Sequence, residues 1–308
     1  MDASVIVCTY NRADSLKDTI NALKQQNVGA EISWEIIVVD NNSKDHTKQL
    51  VQEEQKSLPR LRYLFEKEQG LSYARNLGLS SANGNILLFT DDDVLPEPNW
   101  LASILEGMEK YNADACGGYI APIWETPPPN WLTDRFYGFL AVRIDRTDDY
   151  QLTHPDQAPF GANMAFKKEI FQHVGNFDTT RGRSANILAG GEDIEMFERV
   201  LSAHRPVFFL GSARVHHKVE SFRLKKTYFR KWRLESSRNI AQTVGVPGET
   251  RVFNIPLYIF PQLVRATLRL LFAKLLLPKD EAFQREIIVF HFMGTIIGLY
   301  SCRASATK

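Results

Sequence analysis

The apolar run Ile86, Leu87, Leu88, Phe89 and Thr90 stops on three consecutive acids, Asp91, Asp92 and Asp93, ahead of a proline-bounded turn, LPEP. Adjacent carboxylates resist simultaneous ionisation unless a cation or water absorbs the charge, so the triplet points to divalent-metal chemistry, with a solvated acidic turn as the plain alternative. A second acidic pair, Glu192 and Asp193, opens a helix behind a loop rich in glycine and serine. Acids there suit the positive end of the helix dipole whatever else they do. His216 and His217 close another apolar run. Imidazole is a competent manganese ligand, but neighbours on a strand point to opposite faces, and the sequence does not decide between the two.

The elements that must position these residues follow a repeating pattern. SVIVCTY (4–10), WEIIVVD (34–40), LRYLFE (61–66) and NILLFTD (85–91) read as strands, and the segments between them as helices; 14–26, for example, places Leu16, Ile20 and Leu23 on one face. Strands apolar on both faces and separated by helices predict an α/β architecture, a mostly parallel sheet covered on both sides. Ligands of such sheets bind at the C-terminal strand ends. Thr9, Asn11 and Arg12 follow the first strand, Asp40, Asn41 and Asn42 the second, and the aspartate triplet the fourth. Asn11, Asp14 and Asp45 serve equally well as helix caps. Residues 117–139, with three consecutive prolines and Trp124, Trp131, Phe136 and Tyr137, read as a long structured loop offering either stacking surfaces or plain packing.

Composition sets limits. The 308 residues are 44% hydrophobic and 24% charged, which excludes a disordered chain. Three scattered cysteines exclude a disulfide framework or a zinc cluster and fit a reducing compartment. The first residues show no secretory signal, and a cytoplasmic location is expected. The net charge of +1 hides an asymmetry: residues 1–217 carry 21 Lys and Arg against 30 Asp and Glu, a net of −9, while 218–308 carry 16 against 6, a net of +10. Two regions, 1–217 and 218–308, with different partners are expected.

Six segments in order, VCTYNR (7–12), EIIVVDNNSKD (35–45), GLSYARNLGL (70–79), ILLFTDDDVLPEPNWL (86–101), GANMAFKKEIFQHVGNFD (161–178) and GGEDIE (190–195), resemble glycosyltransferase family 2, whose members have the GT-A fold. The resemblance implies an inverting enzyme that moves a sugar from a nucleoside-diphosphate donor, with Mn2+ or Mg2+ neutralising the departing diphosphate. It makes Asp91 and Asp93 candidates for the metal, Asp93 foremost, and leaves Asp92 either facing the ribose or holding the turn. It places Asp40 on the nucleotide and Thr9, Asn11, Arg12, Asn42, Arg75 and Asn76 around the nucleoside, although Arg75 also reads as a helix-surface charge. The resemblance puts Asn163 near the donor sugar or diphosphate and Glu192 near donor or acceptor, and makes Asp193 the base. A late histidine on the metal or diphosphate follows as well, His216 slightly ahead of His217. Cys8 replaces the usual proline of the first motif, a departure compatible with the retained Thr-Tyr-Asn.

Beyond residue 217, a basic helix over 221–242 carries Arg230, Lys231 and Arg233, which either bind an acceptor diphosphate or solvate a helix face. The run 286–303 is apolar for about 16 residues, short of the ~20 a spanning helix needs, and 255–278 is interrupted by Arg265, Arg269 and Lys274. Both read as helices at a membrane interface, or else as a packed hairpin. One sugar transfer to a glycan or polyprenyl-linked acceptor on the inner membrane face is therefore expected, with no nucleic-acid partner. A sugar nucleotidyltransferase would need a glycine-rich phosphate loop that CTYNRADSL lacks, and a non-enzymatic module would not need to keep these acids.

Overall fold

A computed structural model describes residues 1–180 and 190–306. The chain divides into two compact units. The first is built from Met1–Ile123, the described residues of 141–184, and Gly191–Lys218; the second comprises Trp124–Leu140 and the chain from Val219 onward.

In the first unit, β1 (Ala3–Thr9), α1 (Ala13–Lys24), β2 (Trp34–Asp40), α2 (Thr47–Gln55), β3 (Leu61–Phe65), α3 (Leu71–Ser81) and β4 (Ile86–Asp91) alternate as the sequence predicts. After them come β5 (Val94–Pro96), α4 (Trp100–Lys110), β6 (Ala115–Trp124), β7 (Tyr150–Leu152), β8 (Met164–Lys167), α5 (Ile170–Val174), α6 (Glu192–Ser202) and β9 (Val207–Val219). The sheet order is β3-β2-β1-β4-β8-β6-β9-β5, with β7 paired to β9. The pairs β3–β2, β2–β1 and β1–β4 are parallel, whereas β8 runs antiparallel to both β4 and β6. Every residue of β1 and β2 is buried because the sheet has a core on each face. Val5, Val7, Ile36 and Val38 pack with Leu16, Ile20 and Leu23 of α1, and Ile6, Ile37 and Val39 pack with Ala74, Phe89, Phe166 and Phe197. The period of two along each strand feeds both cores, at about 1.5–3 kcal/mol per fully buried aliphatic side chain.

The segment read as a loop over 117–139 begins instead as the second half of β6. Gly117 and Gly118 hide the strand from a pattern of β-branched residues, and packing explains them: a Cβ on Gly118 would lie 2.1 Å from the carbonyl oxygen of Ala213. Only a residue without a side chain lets the two backbones approach this closely.

In the second unit the prolines lead into a 3-10 turn, Asp134–Leu140, and the aromatics choose packing. Trp131 and Phe136 meet Phe229 and Phe283 edge-on or tilted at centroid distances of 4.9–5.9 Å. Helices α7 (Lys226–Thr243), α8 (Ile259–Leu276) and α9 (Lys279–Ala306) follow. Arg230 pairs with Glu286 at 2.8 Å and Lys231 with Glu235 at 3.7 Å, so these two basic residues are engaged within the unit. The apolar run starting at 286 belongs to a helix longer than the run itself. Lys279–Ser301, 23 residues of mean hydropathy 1.2, is long and apolar enough to cross a membrane by length and composition, and 39% of its apolar stretch is buried inside the chain.

At the strand ends opposite the aspartates, buried Glu35 accepts from Ser4 Oγ (2.8 Å), Arg62 Nη1 (2.6 Å) and Asn83 N (2.7 Å), tying β1, β2, β3 and the α3–β4 turn together. Burial alone would raise its pKa, but Arg62, Asn83 and Ser4 outweigh it and hold the carboxyl below its ordinary 4.5. Such a group stabilises the fold above its unfolded-state pKa and loses that contribution as pH falls through the depressed one. Glu35→Gln is expected to cost about 1–3 kcal/mol in urea unfolding at pH 7. The difference from wild type should shrink in acid, and a pH-independent difference would contradict it.

Candidate active site

Register sets the site. Thr9 is paired with Asp40, and Cys8 with Asp91, so the first, second and fourth strands end at one edge. Because β8 is antiparallel, with Met164 opposite Phe89, the segment Gly161–Ala162–Asn163 enters at that same edge. The acidic residues there divide into two clusters.

One cluster lies on the Cys8 side of the sheet. Arg75, buried on α3, donates from Nη1 to Glu192 Oε1 at 2.7 Å, and its Nη2 is 3.8 Å from Asp91 Oδ1. Burial opposes its charge, but Glu192, Asp91 and Asp193 more than compensate and raise its pKa. Asp193, half-buried in the first turn of α6, accepts from Gly161 N and from Ile194 N, each at 2.8 Å. Gly161 is required by the crossing of Arg75: a Cβ there would lie 2.1 Å from Nη2. Desolvation, then the negative charge of Glu192, raise Asp193 to about 6 against the pull of Arg75 and the two backbone donors. Glu192 Oε2 is buried with no hydrogen-bond partner among the described residues.

The other cluster lies toward α1. Thr9 Oγ1 donates to Asp92 Oδ2 at 2.7 Å, Thr19 Oγ1 donates to the Asp92 carbonyl at 3.0 Å, and Arg12 Nη1 reaches Asp93 Oδ2 at 2.5 Å and Asp92 Oδ1 at 3.4 Å. Strand β5 pairs with β9 so that Val94 faces His217, which brings His217 Nε2 to 3.4 Å from Asp93 Oδ1. Burial, then Asp93, push Asp92 up to about 7. Five carboxylates thus face two guanidiniums, leaving room for further positive charge.

Several expectations change. His216 points away from the triplet and contacts Glu97 at 3.0 Å, so the slight preference for it gives way to His217; pairing register, unreadable in the sequence, decides between the two. Asn163 is fully buried, accepting from Trp100 Nε1 and donating to the Tyr119 and Ala213 carbonyls, which removes it from a donor sugar. Asn76 exchanges both hydrogen bonds with the backbone of Phe177 and is a brace rather than a nucleoside contact. Arg75 is no surface charge: it is buried against Glu192 Oε1, while Glu192 Oε2 stays without a partner among the described residues. Arg12 turns to the aspartates rather than a nucleoside.

The remaining candidates sit where the strands end. Asp40 accepts from Ser43 N and Tyr63 Oη, both at 2.8 Å, leaving a further lone pair on each oxygen. Asn11 and Asn42 adopt left-handed backbone, φ 53° and 67°, which asparagine tolerates. Asn11 Oδ1 accepts from Lys44 N, and Asn42 Nδ2 donates to the Lys67 carbonyl. Asp45 accepts from Ala13 N and Thr47 N, the first residues of α1 and α2, although the N-cap positions themselves are Arg12 and His46. Tyr63 and Thr19 carry no motif of their own, and Trp100 and Gly161, although inside two of the six segments, were given no individual role by the sequence.

The residues present fit a divalent cation in part. Among the described residues no three His, Cys, Asp or Glu side chains converge to hold an ion unaided. Asp91, Asp93 and His217 nonetheless supply oxygen and imidazole donors at one edge, and Mg2+ or Mn2+ characteristically takes one or two carboxylates and completes its shell with substrate phosphate and water.

An α/β sheet ending in this acidic edge is that of a GT-A glycosyltransferase. The chain superimposes on a mannosyltransferase, PcManGT from Pyrobaculum calidifontis, crystallised with GDP-Man and Mn2+, with a TM-score of 0.63 at 19% identity, covering 97% of this chain and 87% of that one. The profile of glycosyl transferase family 2 matches residues 4–175, more than half of the sequence, and the protein belongs to that family. It is 27% identical over 228 residues to the glucosyl-dolichyl phosphate glucuronosyltransferase of Haloferax volcanii, covering 72% of this chain and 71% of that protein. It is also 40% identical over 92 residues, 29% of each chain, to the GalNAc(5)-diNAcBac-PP-undecaprenol beta-1,3-glucosyltransferase of Campylobacter jejuni.

The buried Arg75–Glu192 pair yields a stability test. Arg75→Met leaves Glu192 charged and uncompensated and is expected to cost about 3–5 kcal/mol in urea unfolding. Adding Glu192→Met should recover most of the loss; a double variant as unstable as the sum of the single ones would deny the coupling.

Proposed function

We propose that this glycosyltransferase inverts the anomeric configuration in one displacement, moving a single sugar from a nucleoside-diphosphate donor, a UDP-sugar foremost, to a glycan or polyprenyl-linked glycan with the help of Mn2+ or Mg2+. The observation that carries the reading is Asp193. Its carboxylate is fixed by two backbone N–H groups, is only partly buried, and keeps a lone pair on each oxygen for a substrate. Raised to about 6, it is mostly ionised at pH 7 yet basic enough to take a proton.

The acceptor hydroxyl gives its proton to Asp193 as its oxygen bonds to the anomeric carbon. The bond from that carbon to the diphosphate oxygen breaks on the opposite side, and the electron pair leaves with the nucleoside diphosphate. Asp93 and His217, 3.4 Å apart, would be the protein's donors to the metal, with Asp91 at the same edge as the further carboxylate; the metal when bound supplies positive charge to the departing diphosphate. Arg12 orients Asp92 and Asp93, Arg75 fixes the position of Glu192 beside Asp193, and Asp40, with the loops of Asn11 and Asn42, forms the nucleoside end. The names of the Haloferax and Campylobacter relatives, each with a polyprenyl-type carrier, support a lipid-linked acceptor. The basic, apolar second unit supports action at the inner membrane face.

Purified protein incubated with a panel of nucleotide sugars and Mn2+ should release nucleoside diphosphate, and chelator should stop the release; no metal-dependent release with any donor, acceptor extracts included, would defeat the proposal. Asp193→Asn is expected to lower kcat by about 10^2–10^4-fold while leaving donor affinity intact, and Asp93→Asn to weaken metal-dependent donor binding. Because only ionised Asp193 can accept a proton, kcat/KM should fall tenfold per pH unit below about 6. A flat acid limb would remove Asp193 from the role of base.

A further inference from the structure

Helix α8 has three sectors. Ile259, Ala266, Leu270 and Ala273 are buried. Phe260, Val264, Leu268, Leu271 and Leu275, at helical spacing on another face, are 38–82% exposed. At 3.6 residues per turn, Arg265 and Arg269 fall on the boundary between these sectors, and Lys274 borders the exposed face on its other edge.

Arg265 and Arg269 join Arg285 of α9 around a groove of about 250 Å3. None of the three guanidiniums has a carboxylate partner among the described residues, unlike Arg230 on the neighbouring helix, which has Glu286. An adjoining groove of about 200 Å3 shares Gln262 and Phe292 with the first and is lined by apolar side chains including Ile240, Val246 and Ile259. Guanidinium forks match the oxygens of a phosphate, and three of them gathered without an acid create a site for such an anion. The apolar groove on one side and the exposed apolar face on the other favour an anion that carries a hydrocarbon chain. A soluble phosphate would leave both apolar surfaces without a partner.

We propose that the α8–α9 groove is a lipid-phosphate site. Arg265, Arg269 and Arg285 hold the phosphate headgroup, the first part of the chain lies in the adjoining apolar groove, and the exposed face of α8 rests in the bilayer surface with its cations at phosphate level. The site deepens the membrane-face reading of the second unit. Its test involves neither donor nor turnover, so its failure and a failure of the transfer chemistry are distinguishable.

The test is flotation of the full chain with phosphatidylcholine vesicles doped with phosphatidic acid, against vesicles doped to the same surface charge with oleate, an anion without phosphate. Wild type should bind the phosphatidic acid vesicles at least about tenfold more tightly, a difference of about 1.4 kcal/mol. Arg265→Gln/Arg269→Gln/Arg285→Gln should lose that preference, whereas Lys48→Gln/Lys56→Gln, of exposed lysines in the first unit, should keep it. Leu268→Asp/Leu271→Asp should weaken binding to both vesicle types, and circular dichroism should show each variant folded. Equal binding to the two vesicle types, or a triple glutamine variant that behaves as wild type, would overturn the site. Calorimetric binding of inorganic phosphate alone as tight as that of the vesicles would make it a soluble-anion site and overturn the lipid assignment.

Discussion

Parallel strands deliver their last side chains to a single edge of the sheet, and here that edge receives more negative charge than the fold can hold without help. Asp91, Asp92, Asp93, Glu192 and Asp193 gather around the end of β4. Removing a carboxylate from water costs several kcal/mol unless a cation or donor compensates. The compensation is split. Arg75 is buried between Asp91 and Glu192 on one side, and Arg12 reaches Asp92 and Asp93 on the other. Much of the local structure serves this division, from the missing side chain of Gly161 to the register that sets His217 against Asp93.

A second rank of polar residues keeps the edge rigid. Asn163 joins Trp100 to the backbones of β6 and β9, Asn76 holds the segment at Phe177, and Asp45 links the loops that follow β1 and β2. Each uses its polar atoms on the protein itself, and so fixes the groups meant for a substrate without offering itself to one. Rigid support of this kind matters to catalysis because a misplacement of an ångström can cost orders of magnitude in rate.

The second unit follows a different economy. Its core is aromatic, with Trp131, Phe136, Phe229 and Phe283 in mutual contact, and it leaves one face of α8 apolar and exposed. Clustered arginines with no carboxylate partner among the described residues, beside that face, are unfavourable in an isolated soluble body, since like charges repel and the apolar surface stays wet. Both features become favourable at an anionic, apolar boundary.

The alternation of β1 to β4 with their helices was legible because burial on both faces writes an apolar run of fixed length into the sequence, and the acids at the strand ends were legible because such sheets place ligands there. Strand β6 was not, because Gly117 makes room for the Pro159 ring and Gly118 for the Ala213 backbone, and neither was chosen for strand propensity. By itself, then, the sequence determined the fold class, the family and the chemical character of the edge. Only the tertiary structure decided what each polar residue does there: that Asn163 and Asn76 are braces, that Arg12 and Arg75 are counterions, and that His217 rather than His216 meets the aspartates. The reason is physical. A residue's type states what it can bond to, but partners 117 positions apart, as Arg75 and Glu192 are, meet only through strand order and register, which no local pattern encodes.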